Sequence, residues 1–248
     1  MYKYKLIPVI KEYIWGTESW EVSTHPDGQS TVKNGEHAGK TLKEVLGCDL
    51  PVLIKVIDAH DKLSLQVHPN DEYAHMHEGD RGKNEMWYIT GAEPGAELIL
   101  GFKKPLSREK LREHIENNTI LEEVNHVPVK EGDCYLIPAG MIHAIGRGIK
   151  IIEVQQSSNV TYRVYDYDRR DSLDNPRELH IDKAIDVIDT TLKAVKSKPP
   201  VLADWEYFHC ELVETQIRCR VEDFECLTDI KTGETSVIAR SKVLFTRL

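Results

Sequence analysis

The sequence predicts an all-β-dominated protein: a β-barrel of antiparallel strands with a few peripheral helices, followed by a short, incomplete second β-domain. Two observations predict it. Short segments rich in β-branched, leucine and aromatic residues recur along the chain, each closed off by Gly, Pro, Asn or Asp. Helical periodicity is confined to a few brief stretches.

The strand candidates begin with VLIKVI (52–57), LSLQVHP (63–69), EMWYIT (85–90) and AELILGF (96–102). The same texture returns in DCYLIP (133–138), IKIIEVQQ (149–156) and TYRVYDY (161–167), a spacing that suits a barrel or sandwich. Among the helix candidates, TLKEVLG (41–47) has Thr41 as a cap and Gly47 as a stop, and SREKLREHIENN (107–118) sets Leu111 and Ile115 four apart on one face. A third helix is predicted in DKAIDVIDTTL (182–192). KSKPP (196–200) then breaks the pattern, and the domain boundary is placed there: residues 1–195 form the main domain and 196–248 a short C-terminal β-segment.

Composition excludes several classes of function. Hydrophobic residues make up 40% of the 248 and charged residues 29%, the balance of a folded globular protein. A formal net charge of -9 argues against nucleic acid or an anionic membrane as partner and leaves a small molecule. If that molecule is anionic, local lysines and arginines must overcome the global sign. Lys3, Lys5, Lys11 and Glu12 interrupt any signal-peptide core, and no run reaches the roughly 18 apolar residues of a membrane span. The five cysteines are odd in number and contain no C-x-x-C pair. They read as reduced packing thiols of a cytoplasmic protein. Monomer and homodimer both remain open.

The residues that carry chemistry sit in two of the strand candidates and one turn. In a strand, residues i and i+2 share a face, so Gln66 and His68 project together while Val67 faces the other way. Lys83 and Glu85 make a similar pair in KNEMWYI, with Trp87 next in line. Gly132 to His143 then reads G-x5-P-x-G-x2-H, with glycines and proline suited to tight turns and His143 opening a strand. That spacing resembles the second metal motif of the cupin superfamily, a jelly-roll-like β-barrel. The matching first motif would carry a histidine where Gln66 stands. Gln66, His68, Glu85 and His143 together offer a nitrogen and oxygen donor set suited to zinc and acceptable to iron, manganese or cobalt.

Q-V-H-P-N-D at 66–71, G-K-N-E-M-W-Y at 82–88, P-A-G-M-I-H-A at 138–144 and T-Y-R-V-Y-D-Y-D-R at 161–169 together resemble the type I phosphomannose isomerases. W-G at 15–16 and E-S-W-E-V-S at 18–23 extend the likeness over most of residues 1–190. The resemblance implies interconversion of mannose 6-phosphate and fructose 6-phosphate, with one zinc ion held by residues matching Gln66, His68, Glu85 and His143. It also matches Arg163 to the family's catalytic arginine. Two departures stand out: only Thr17 separates the W-G and E-S-W blocks, and the C-terminal segment is expected to be a reduced form of the family's second cupin-like domain.

Aldose to ketose isomerisation passes through an enediolate and needs an acid/base group, an oxyanion stabiliser and a phosphate anchor. The metal fits the second need. Arg163 is a candidate for steadying the enediolate or holding phosphate bidentately, and Lys83 for the phosphate or the acid/base group. Trp15 is a candidate wall of the sugar site, as is Trp87, although core packing is the commoner use of both. His75 and His77, in a polar stretch, read as surface residues. An iron dioxygenase and a non-catalytic module that binds a sugar phosphate are the competing readings; the amide at Gln66 disfavours the first.

Overall fold

In the computed structural model, which describes residues 2–170 and 175–239, the chain opens with β1 (Tyr2–Ile7), β2 (Val9–Tyr13), β3 (Gly16–Val22) and β4 (Thr31–Val32). Helix α1 (Leu42–Leu46) begins where the sequence places it. Thr41 and Glu44 form a capping box, and Gly47, at φ 70°, ends the helix. Next come β5 (Val52–Ala59), β6 (Leu65–Val67), α2 (Asp71–Glu78), β7 (Glu85–Ala92), β8 (Glu97–Phe102) and α3 (Arg108–Glu116). Ser107 caps α3, whose buried side is Leu111 and Ile115. His75 and His77 lie exposed on α2.

The chain continues through β9 (Val124–Pro128), β10 (Cys134–Ile137), β11 (His143–Ile145), β12 (Ile149–Gln156) and β13 (Tyr162–Tyr165) to α4 (Ile181–Val187). Helix α4 is shorter than the stretch 182–192 predicts. Val187, Ile188, Thr190 and Thr191 lose rotamer freedom in a helix. The Asp189 carboxylate also accepts from the Thr191 backbone N–H at 2.8 Å, a local bond that competes with helix continuation. The remaining strands are β14 (Val195–Lys196), β15 (Val201–Asp204), β16 (His209–Val213), β17 (Gln216–Val221), β18 (Phe224–Asp229) and β19 (Thr235–Ala239).

These strands form three sheets. A central seven-stranded sheet runs β14-β10-β7-β12-β5-β3-β2, a five-stranded sheet runs β13-β6-β11-β8-β9, and a second seven-stranded sheet runs β15-β16-β17-β18-β19-β1-β4. The period of two gives the central sheet two apolar faces. Ile57, Trp87, Ile89, Ile149 and Ile151 face the five-stranded sheet across the barrel interior. Val52, Ile54, Met86, Ile152 and Val154 face the outer sheet, against Leu202, Cys210, Ile217 and Cys219. A third apolar layer covers the far side of the five-stranded sheet, where Leu65, Val67, Tyr162 and Val164 meet Leu111 and Ile115 of α3 and Ala184 and Ile185 of α4. Four of the five cysteines are buried, and all five are free thiols. Strand β1 belongs to the outer sheet, pairing Lys3 with Ile238 and Tyr4 with Val237. No helix among the described residues is long and apolar enough to cross a membrane.

One buried carboxylate works against this packing. Burial raises the pKa of Glu21, Ser19 Oγ donating at 2.5 Å opposes the rise, and nearby Glu234 adds to it. A carboxyl whose folded pKa exceeds its unfolded value contributes stability at low pH and loses it as pH rises through the folded pKa. Glu21→Gln keeps an acceptor for Ser19 and removes the charge. It is expected to raise the melting temperature at pH 7 and to change it little at pH 4; melts showing no gain at pH 7 would refute the assignment.

Candidate metal centre

Directly opposed residues of an antiparallel pair share a face. Gln66 on β6 stands opposite His143 on β11 and Arg163 on β13, so these three side chains form one row across the five-stranded sheet. His68 follows two residues after Gln66. Leu65 and Val67 take the other side into the apolar layer under the helices. A second row crosses the central sheet: Trp87 on β7 opposes Glu153 on β12, which opposes Lys55 on β5, which opposes Trp20 on β3. Glu85 precedes Trp87 by two residues and shares its face.

The ligand atoms of His68, Glu85 and His143 all lie within 4.8 Å of one another, and all three residues are buried. His68 Nδ1 lies 2.8 Å from the Val160 carbonyl and His143 Nδ1 lies 2.9 Å from the Met141 carbonyl. A carbonyl only accepts, so each Nδ1 carries the proton and each Nε2 an acceptor lone pair when the ring is neutral, that of His68 lying 3.2 Å from Lys83 Nζ. The two Nε2 atoms face each other at 3.2 Å. Burial, then the Lys83 charge, pushes the His68 pKa down to about 3, and burial also lowers that of His143, so both rings are neutral at pH 7. Burial disfavours the Glu85 carboxylate, yet Lys83, His68 and His143 together outweigh it and hold the pKa well below the usual range. Neither Glu85 oxygen accepts a well-formed hydrogen bond, although Lys83 Nζ pairs with Oε1 at 2.6 Å.

Gln66 Nε2 lies 3.4 Å from His143 Nε2, and Gln66 Oε1 accepts from Ser64 Oγ at 3.3 Å. A half-turn of the amide presents its oxygen to the same point. Two facing imine lone pairs, an unsatisfied carboxylate oxygen and an amide are the donors a divalent cation of the zinc type takes. The residues present therefore fit a metal, and the backbone carbonyls behind both imidazoles orient them for it.

Beside this cluster lies a cavity of about 270 Å³, which Gln66 and Lys83 line while His68, Glu85 and His143 stay behind its wall. Among the residues singled out from sequence, Trp15, Gln66, Lys83, Trp87 and Arg163 line it. Trp15 is delivered by the turn into Gly16, where φ is +146° and an added Cβ would sit 2.0 Å from the Asp58 carbonyl oxygen. Only glycine fits there. Tyr13 stacks on Trp15, with ring centroids 4.9 Å apart.

The lining residues that escaped the sequence reading include the titratable groups Tyr13, Glu18, Lys55, Glu153, Arg177 and His180. Trp87 Nε1 donates to Glu153 Oε2 at 2.9 Å, and Lys55 Nζ lies 3.1 Å from Glu153 Oε1 and 3.6 Å from Glu18. Burial raises the Glu153 pKa, with the Glu85 charge adding to it, while burial opposes the Lys55 charge but is outweighed by Glu153, Glu18 and Glu85. A charge flanked by apolar residues, as in VLIKVI and IKIIEVQQ, was the available signal. The strand candidate 161–167, which by the period of two would carry Arg163, Tyr165 and Tyr167 on one face, stops short: β13 ends at Tyr165, and Tyr167, at φ 57°, turns toward a separate cavity beside Lys62 and Arg147.

Fold and cluster define a cupin-type β-barrel with a candidate metal centre on its inner faces. The description "Phosphomannose isomerase type I, catalytic domain" matches residues 3–89. The mannose-6-phosphate isomerase of Streptococcus mutans is 46% identical over 182 aligned residues, covering 69% of this chain but only 57% of that protein. The crystal structure of the mannose 6-phosphate isomerase from Bacillus subtilis superposes with a TM-score of 0.83 at 30% identity, covering 97% of this chain and 95% of that one. A holo, zinc-bound mannose 6-phosphate isomerase shares the fold at 15% identity and a TM-score of 0.66. The chain belongs to the type I phosphomannose isomerase family.

Proposed function

We propose that this protein is a zinc-dependent aldose-ketose isomerase that interconverts mannose 6-phosphate and fructose 6-phosphate through an enediolate, in the cytoplasm. Residues 1–195 carry the site in this reading, and β15 to β19 build the outer β-layer together with β1 and β4. The observation that carries it is a single cavity lined by Gln66 and Lys83, which border the His68, Glu85 and His143 cluster, and by the Lys55–Glu153 pair. Gln66, His68, Glu85 and His143 would hold the ion, which supplies Lewis acidity toward the sugar's hydroxyl and carbonyl oxygens.

The chain's own groups do the rest. Glu153 is buried and its Oε1 accepts no well-formed hydrogen bond, so that oxygen is the one positioned to take the C2 proton and return it to C1. Trp87 Nε1 and Lys55 hold the carboxylate in place. Lys83, already among the ligands, donates to a sugar oxygen, Arg163 stabilises negative charge developing on the enediolate, and Trp15 walls the sugar off from water. A coupled assay for fructose 6-phosphate tests substrate and metal together. Turnover is expected with zinc, loss with a chelator, and recovery on adding zinc back. Zinc-loaded protein that binds mannose 6-phosphate and leaves it unchanged would sink the proposal.

A further inference from the structure

The cavity holds more positive charge at its edge than the metal cluster needs. Arg163 bonds to His180 through its backbone, and its guanidinium makes no hydrogen bond or ion pair among the described residues. Arg177 lines the same cavity from the segment leading into α4. Its Nε and one terminal nitrogen each lie 2.6 Å from a different oxygen of Asp166, which is 5% exposed. That two-point contact fixes the fork, and among the described residues its other donors have no partner.

The two guanidinium groups repel one another. Burial lowers the pKa of Arg163, and the Arg177 charge lowers it further. Two cations turned toward one cavity, in a chain of net charge -9, mark a place built for an anion. His180 adds a donor there. Its Nδ1 accepts from the Arg163 backbone N–H at 3.2 Å, so the proton of the neutral ring is on Nε2.

Order along the sheet separates the two arginines by task. His143, Gln66 and Arg163 follow one another across β11, β6 and β13, and β13 is the edge strand. Arg177 joins beyond that edge, through Asp166 just past the end of β13. A hexose 6-phosphate carries its reacting carbons and its phosphate at opposite ends. Building on the isomerase reading, we propose that Arg177, held by Asp166 and assisted by His180, grips the phosphate dianion of the substrate, leaving Arg163 to the reacting end.

Arg177→Met tests this without orphaning Asp166, which still pairs with Arg169 at 2.7 Å. In zinc-loaded enzyme the KM for mannose 6-phosphate is expected to rise about 10- to 100-fold, the loss of one or two charge-assisted hydrogen bonds, with kcat changed less than about threefold. The inhibition constant of inorganic phosphate should rise in parallel. Arg177→Lys, which keeps the charge but not the fork, should fall between the two and decides the matter if the methionine variant does not fold. An unchanged KM, an unchanged phosphate inhibition constant, or a fall in kcat at constant KM overturns the assignment while wild-type turnover leaves the isomerase reading standing. If wild type itself does not turn over the sugar phosphate, that reading falls; inorganic phosphate raising the melting temperature of wild type but not of Arg177→Met would then still support the anion site, and equal shifts would overturn it.

Discussion

Glu85→Gln is expected to purify folded, to hold no stoichiometric metal by elemental analysis, and to lose roughly 10³-fold or more in turnover of mannose 6-phosphate. Two effects add. The substitution removes the only carboxylate from a donor set otherwise made of two neutral imidazoles and a neutral amide. It also strips Lys83 of the partner 2.6 Å away, leaving an uncompensated ammonium beside the point where a cation must sit. Metal content equal to wild type, with activity intact, would show that the cluster is not the metal centre.

Glu153→Gln is the second large effect. With the proton acceptor gone, kcat should fall about 10²- to 10⁴-fold while metal content and KM change little. The pH profile gives an independent readout. Burial and the neighbouring Glu85 charge raise the Glu153 pKa, and a base must be ionised to work. Activity of wild type should therefore rise with pH through a limb above the ordinary carboxylate range, and that limb should vanish in the variant. A limb of the same position in both proteins would assign the proton transfer to another group. The substitution also leaves Lys55 with Glu18 alone at 3.6 Å, so a loss of stability is expected in thermal melts.

Much of this site was legible in the sequence because strands obey a period of two. Gln66 and His68 had to share a face, and the glycine and proline turns before His143 constrained where that strand starts. The convergence of these residues with Glu85 needed only that the two sheets face each other. Lys55 and Glu153 were hidden by the same rule. Each stands at an inward position of an apolar strand, where its neighbours announce burial and its charge suggests the opposite. What resolves the conflict is the opposed register of β5 and β12, which sets one against the other. Arg177 lay further out of reach, outside every strand and helix, where no periodicity marks which side chains turn inward. The alternation through Tyr165 misled at Tyr167, because no side-chain pattern signals a left-handed turn at a tyrosine.

The pairing of β1 with β19 also sets the order of events on the ribosome. Strand β1 meets β4 soon after it is made, but its other partner comes more than two hundred residues later, and most of the cover over the outer face of the central sheet arrives with β15 to β19. Val52, Ile54, Ile152 and Val154 therefore lack that cover in the nascent chain until β15 to β19 have been made. Slowing elongation over that stretch, or crowding the emerging chains, should raise the fraction captured by chaperones or lost to aggregation, although His68, Glu85 and His143 have all been synthesised by then.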